Sequence, residues 1–420
     1  MYPLGTIAQE ALHMMFYNLY RYPSATPGNR ELLLKDILAD VQPDILMVCE
    51  LESEAGADAL LQQSFAYTQD TFARGTFVYN RSNEQDTLQQ MVYFNRRKFT
   101  LLGEYVYPTD VRDINRYTLL VNTTDADKDS LIMELFVVHL KSSTGTANVR
   151  SRFNMADTLM QVLHTIPPGR HVLVAGDMNF YNSSELAYRH FTDTVHPHPL
   201  ADPLGNVSGT WQDNPAFAHM HTQATRTSRA GFGLYGAIGG MDDRFDIIFM
   251  SRHLEADSTA DISYVKDSYK AYGNNGNCLN KAVNDVSCNG AYSQAFRQQL
   301  HDMSDHLPVG MTLFTPRRIG PVKQPDPDTG TGIAGRKAPV HFGIYGANMV
   351  QHRLYVQWRM DPPVTAQQTI YICNAVGNVV YTHHIHTAEA IEGLDVSGLP
   401  AGMYYIRIGE AAAPHKFVKY

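Results

Sequence analysis

One feature constrains this chain more than any other: short apolar runs, without polar alternation, that each stop on a hydrogen-bonding or ionisable residue. His171 to Asn179, HVLVAGDMN, is the sharpest case. Val172 to Ala175 are apolar at consecutive positions, which suits a strand covered on both faces inside a layered fold. Gly176 lets the backbone turn tightly there. Asp177 and Asn179, two residues apart, share one face at the strand's carboxyl end, where open sheets place ligands. An acid in that position also serves as the cap of a turn, so the reading depends on what the other runs supply.

They supply a set. Leu12 to Tyr17 reads as a buried strand ending at Asn18, and Ile45 to Cys49 as another ending at Glu50. Between them Leu33, Ile37 and Val41 recur every four residues over Asn29–Val41, which predicts an amphipathic helix stopped by Pro43. Strand, helix, strand is the unit of a layered α/β fold. Over Thr76–Leu102, FVYN and MVYF read as strands, and Arg112 precedes another. Leu131 to Val138 ends in His139, and a helix then carries Val149, Phe153, Ala156, Leu159, Met160 and Leu163. After Asn179 the chain is loop-rich to Gly240 and includes Trp211 in SGTWQDN. FDIIFM, Phe245–Met250, is a strand with Asp246 inside it, an acid that needs a partner. Ser304, Asp305 and His306 stand immediately before a final strand.

At 420 residues the chain exceeds what one core supports, and two domains are expected. From Pro316 to Pro339 prolines and glycines without apolar periodicity predict a linker. The expected division is residues 1–316, a linker over 317–338, and a small all-β domain over 339–420 with strands in HRLYVQW, TIYICN, VVYTHHI and MYYIRI and a turn at Gly377-Asn378. No apolar run approaches the roughly 20 residues of a membrane span. No signal peptide is visible in MYPLGTIAQEALHMMFYN, so the chain is either cytoplasmic or begins after processing.

The formal charge of −8 argues against a broad, salt-sensitive grip on a polyanion but leaves room for a local basic groove. Of the four cysteines, Cys49 lies in an apolar run and reads as a buried thiol. Cys278 and Cys288 flank a Gly/Asn-rich segment that a disulfide would restrain, and that pairing favours an oxidising compartment. Without CxxC spacing a zinc site is the poorer reading there. The pairs His196/His198 and His219/His221 have no acid at matching spacing and are not expected to bind a second metal.

FYN at Asn18, MVCEL at Glu50, VVHLKS at His139, VAGDMN at Asp177 and Asn179, RFDIIFMS at Asp246 and SDHLPV at Asp305 and His306 together resemble the endonuclease/exonuclease/phosphatase superfamily of DNase I-like, metal-dependent phosphoesterases. The resemblance covers residues 10–315 and implies a four-layered α/β sandwich, two mixed sheets packed face to face between helices. It implies that Glu50, with Asn18 and Asp305, holds Mg²⁺, with Mn²⁺ or Ca²⁺ as alternatives; hard oxygen donors suit such ions. It implies that Asp177 and Asn179 handle the attacking water, that His306, held by Asp246, contacts the phosphate or acts as base, and that His139 donates to a phosphate oxygen; Asp177 and His306 are interchangeable in these roles. Arg112 is a candidate phosphate contact in competition with Arg116 and Tyr117, and Trp211 a candidate substrate contact or a core anchor.

GLPAGMYYIRI followed by HKFVKY resembles the carboxyl-terminal sorting domain of type IX secretion substrates, which implies export machinery as a partner and a secreted or cell-surface location; an ordinary Ig-like module is the alternative. The reading that results is an exported Mg²⁺-dependent phosphoesterase acting on a phosphate-ester substrate, foremost a nuclease. Its alternatives are a phosphomonoesterase or lipid-headgroup phosphoesterase on the same scaffold, and an inactive surface binding protein.

Overall fold

The computed structural model describes residues 10–321 except 127–128, 168, 206 and 257–260, and in the carboxyl-terminal part residues 340–344, 349–350, 352–360, 368–374, 378–385, 389–408 and 415–419. The chain divides into two compact units, Met1–Lys323 and Gln324–Tyr420. Most of the expected linker over 317–338, and Gly377 of the expected turn, lie outside the described residues.

In the larger unit, strands β1 (Glu10–Tyr22), β2 (Ile45–Leu51), β3 (Phe72–Arg74) and β4 (Gln89–Asn95) belong to one sheet. Strands β5 (Phe99–Tyr107), β6 (Ile114–Val121), β7 (Ile132–His139), β8 (His171–Asp177), β9 (Leu200–Ala201) and β10 (Asp246–Ser251) make the second, in the order β5-β6-β7-β8-β10-β9. The chain then returns to the first sheet with β11 (Ser263–Tyr264), β12 (Lys270–Ala271) and β13 (Val309–Thr315), giving the order β11-β13-β1-β2-β4-β3 with β12 also paired to β13. Both sheets are mixed: β1–β2 and β7–β8 are parallel, β1–β13 and β8–β10 antiparallel.

The continuous apolar strands are explained by three cores. Met14, Phe16 and Met47 from the first sheet meet Leu135, Leu173 and Ile248 from the second in a layer between the sheets. On the outer side of the first sheet, Met15, Leu46 and Val48 pack against Leu34 and Ile37 of α1 (Arg30–Val41), and α2 (Glu54–Ala59) extends that layer. Outside the second sheet, Phe136, Val172 and Val174 pack on Met155 and Leu159 of α3 (Thr146–Leu163), next to α4 (Leu186–Phe191). A fifth helix, α5 (Gln294–Met303), joins the α1 side through Leu300 and Met303. The unit is a four-layered α/β sandwich.

Two local expectations change. FVYN, residues 77–80, is not a strand: side chains hold the backbone on both sides of it, Glu104 accepting from the Thr76 amide at 2.6 Å and Asp113 from the Arg81 and Ser82 amides at 2.7 and 2.8 Å, where a ladder would need strand partners. Gly176 is not the site of the turn. It sits within β8, where a Cβ would lie 2.2 Å from the Val138 carbonyl oxygen, so it permits close approach of β7; the chain turns at Asn179, φ +53°.

The smaller unit is all β. Strands β14 (Val340–Ile344), β16 (Arg353–Met360) and β19 (Glu389–Asp395) form one sheet; β15 (Met349–Val350), β17 (Gln368–Asn374), β18 (Val379–Ile385), β20 (Gly402–Ile408) and β21 (His415–Lys419) form the other, in the order β15-β21-β20-β17-β18. Leu354, Trp358, Ile370, Ile372, Ile406 and Phe417 make its core.

Candidate active site

The site is assembled where strands of the two sheets end at the same level. In the second sheet His139 lies opposite Asp177 across β7–β8, and Asp177 opposite Asp246 across β8–β10, so three ionisable side chains stand in one row. Asp246 opens β10 and is not embedded within it. In the first sheet Asn18 pairs with Cys49 across β1–β2, and Glu50 follows with φ +59°, a left-handed kink that breaks the ladder. Asp305 and His306 come from the turn between α5 and β13.

Asn18 is the hub. Its side-chain nitrogen is 3.1 Å from Glu50 Oε1, 3.1 Å from Asp177 Oδ2 and 3.3 Å from His306 Nε2, while its oxygen accepts from the Tyr20 amide at 3.0 Å. Its oxygen is thus engaged, and Asn18 orients the carboxylates in this arrangement. His306 Nδ1 bonds Asp246 Oδ2 at 2.7 Å, and the backbone of His306 is fixed by Ser304 Oγ at 3.1 Å, itself tied to the Asn18 carbonyl at 2.7 Å. Asn179 donates to Asp177 Oδ1 from its side chain at 2.7 Å and from its backbone at 3.2 Å. His139 Nε2 is 3.5 Å from Asp177 Oδ2. Asp305 Oδ2 accepts from the Ala237 amide at 2.6 Å.

Burial sets the electrostatics. It raises the Asp177 carboxyl, with Asp246 and Glu50 adding to the rise against the pull of His306, and it raises Glu50, with Asp305 adding to it. His139 is pushed well down by burial and by the cations Arg112, His306 and Lys141. For His306 burial acts downward, but Asp246 and Asp177 override it and hold the ring well above the ordinary histidine value.

Among the described residues one group brings three ligating atoms within 4.8 Å of one another: Glu50, His139 and Asp177. Two crowded carboxylates beside an imidazole, Asp177 buried and Glu50 half-buried, are a donor set that a divalent cation fits, because its charge offsets the desolvation and the like-charge repulsion that raise the acids. The set shares Glu50 with the expected ligands; Asn18 lies against it, and Asp305 is engaged by the loop amide.

Arg112 reaches the site's edge: it pairs with Asp86 at 2.8 Å and bonds the Leu140 carbonyl, next to His139, at 3.4 Å. Its competitors are occupied elsewhere, Arg116 with Glu134 at 3.0 Å and Tyr117 in the core between the sheets. Trp211 is a core anchor: it is fully buried, its indole N–H donates to the Phe180 carbonyl at 2.7 Å, and it packs with the α3 layer. Cys278 and Cys288 are joined in a disulfide, and Cys49 is a buried thiol.

Several neighbours escaped the sequence reading. The Gln223 side-chain nitrogen is 2.5 Å from His306 Nε2, and Thr222 Oγ1 accepts from the Asp246 amide at 3.2 Å. Both come from a loop without periodicity, and HTQ carries no signal by itself.

The Endonuclease/Exonuclease/phosphatase family matches residues 15–306, and the secretion system C-terminal sorting domain matches residues 348–419. No curated protein matches the chain. Among solved structures, D. rerio TDP2 complexed with single strand DNA product is similar at 15% identity and a TM-score of 0.47, over 72% of this chain and 99% of that one. The human Nocturnin catalytic domain with bound sulfate anion is similar at 16% identity and a TM-score of 0.44, over 73% and 97%. Truncated Caenorhabditis elegans TDP2 is similar at 16% identity and 0.44, over 72% and 98%. With the site residues from Asn18 to His306 inside the matched segment, the chain belongs to the endonuclease/exonuclease/phosphatase family.

Proposed function

We propose that this chain is an exported, divalent-metal-dependent phosphodiesterase whose substrate is nucleic acid. The observation that carries the reading is the convergence of Asn18 on Glu50, Asp177 and His306, with His306 clamped to Asp246 at 2.7 Å. A phosphodiester is anionic and resists water, so hydrolysis needs a positioned nucleophile and donors around the developing charge. Asp177, held on one oxygen by Asn179, is the residue to orient the water and take its proton. His306, kept cationic by Asp246, binds a non-bridging phosphate oxygen and stands ready to supply a proton to the leaving oxygen. His139 donates a further hydrogen bond to the phosphate. Glu50, the member of the three-ligand group that these water and phosphate contacts leave free, would hold Mg²⁺ or Mn²⁺, which when bound would neutralise phosphate charge. The match to the sorting domain supports export, and among the described residues no helix is long and apolar enough to cross a membrane.

The test is turnover of DNA, RNA, a bis-aryl phosphodiester and phosphomonoesters, with Mg²⁺ and with EDTA. Metal-dependent cleavage of the nucleic acids is expected. Turnover confined to monoesters would replace the reading with a phosphatase, and no turnover on any arm would leave a binding protein.

A further inference from the structure

The loop from Arg226 to Gly240 is firmly built, yet it presents apolar side chains to solvent. Gly231, Gly233, Gly236, Gly239 and Gly240 all have positive φ, so the backbone follows a path that side-chain-bearing residues resist. The Tyr20 hydroxyl lies 2.7 Å from the carbonyls of Phe232 and Tyr235, the Arg226 guanidinium sits 3.7 Å from the Phe232 ring centre, and the Ala237 amide holds Asp305 at 2.6 Å. Nevertheless Leu234 is 86% exposed, Tyr235 59% and Ile238 44%.

Tyr235 is the informative one. The Arg21 guanidinium covers its ring at 4.4 Å, and Arg21 is itself fixed by Glu52 at 3.0 Å and by its amide on Glu50 Oε2 at 3.0 Å. The ring is therefore tied to both acids at this end of the site, to Glu50 through Arg21 and to Asp305 through Ala237, and still keeps an open face. A second exposed tyrosine, Tyr79, stands on the loop whose Asp86 holds Arg112 on the His139 flank.

Resting on the phosphodiesterase reading above, we propose that Tyr235 is a stacking platform for the unpaired base next to the scissile phosphate, making single-stranded nucleic acid the preferred substrate. Every base offers a π-face, and stacking on an aromatic side chain tolerates any sequence. In a duplex those faces are covered by neighbouring pairs, so an exposed ring at the mouth discriminates by strandedness. A lipid surface fits less well. Through Arg21 and Ala237 the loop is tied to Glu50 and Asp305, which links the ring to the reacting end of a substrate and not to a separate membrane-facing surface.

The experiment compares kcat/KM on single- and double-stranded oligonucleotides of one sequence for the full chain, Tyr235→Phe and Tyr235→Ala, with 2-aminopurine beside the cleaved bond as a stacking reporter. The wild type is expected to favour the single strand. Tyr235→Ala should lose roughly tenfold to a hundredfold on it, mainly through KM, and lose the 2-aminopurine quench, while Tyr235→Phe keeps both. Equal cleavage of the two forms by the wild type, or single-strand rates within twofold for Tyr235→Ala, overturns the platform and leaves the nuclease reading standing. Wild-type hydrolysis of bis-p-nitrophenyl phosphate without cleavage of either oligonucleotide overturns the nuclease reading and the platform with it. Binding of phosphatidylcholine–phosphatidylserine vesicles that Tyr235→Ala abolishes assigns the loop to a membrane and overturns the platform.

Discussion

Asp246 and His306 meet at 2.7 Å through Oδ2 and Nδ1, although one opens β10 of the second sheet and the other precedes β13 of the first, 60 residues on. The carboxylate fixes which ring nitrogen faces the site, and it maintains the charge that burial would otherwise remove. Replacing it by an amide keeps the shape and takes away the charge. Asp246→Asn is expected to lower kcat by about 10² to 10⁴ with a nearly unchanged unfolding midpoint. His306→Ala should cost a similar factor, and the double variant little more than either alone, since the two act as a unit. Additive losses measured in initial-rate assays would show that they work separately.

Metal binding should appear in stability as well as in turnover. A cation that binds the folded chain at a hundred times its Kd adds about 2.7 kcal/mol. Thermal unfolding in EDTA is expected to shift upward on adding Mg²⁺ or Mn²⁺, and Glu50→Gln to remove that shift because Glu50 belongs to the three-ligand group. An identical shift in Glu50→Gln would move the cation elsewhere.

Trp211 separates packing from recognition. Trp211→Ala should destabilise the larger unit by about 3–5 kcal/mol, the usual cost of emptying a buried aromatic site. Trp211→Phe, which loses only the bond to the Phe180 carbonyl and part of the packing, is expected to remain folded with KM unchanged. A raised KM at undiminished stability would return Trp211 to the substrate.

His171, at the opposite end of β8 from Asp177, gives a pH signature of the fold. Burial lowers it from 6.5 to about 4; His253, 3.1 Å away, Arg170 and Arg317 also oppose its proton, while Asp261 favours it. The folded state thus binds this proton less readily than the unfolded state. Its contribution is intact above pH 6.5 and is lost as the pH falls from 6.5 to about 4, by an amount of order 3 kcal/mol. Urea titrations of the wild type and His171→Gln between pH 7.5 and pH 4 should show a shallower decline for the variant; parallel declines would remove His171 from the account.

The sandwich and most of the site are legible because burial on both faces writes itself into consecutive apolar residues, and the strand must stop where cover ends. Asn18, Glu50, His139 and Asp177 are marked in this way. Gln223 and the Ala237 amide are not: one stands in an aperiodic loop, and the other offers a backbone group that any residue but proline supplies. Trp211 shows the reverse problem, since an aromatic between loop residues is equally suited to a substrate or a core. The left-handed turn at Glu50 is also silent in the sequence, because glutamate has no marked preference for φ +59°.

The ladder that sets Glu10 against Thr315 carries a consequence in time. Synthesis delivers Asn18 long before His306, and β13 brings the two together by pairing with β1. A nascent chain still short of residue 306 already contains the row His139, Asp177 and Asp246 but lacks the imidazole that completes it. The row therefore lacks its imidazole until the strand that follows His306 has paired with β1.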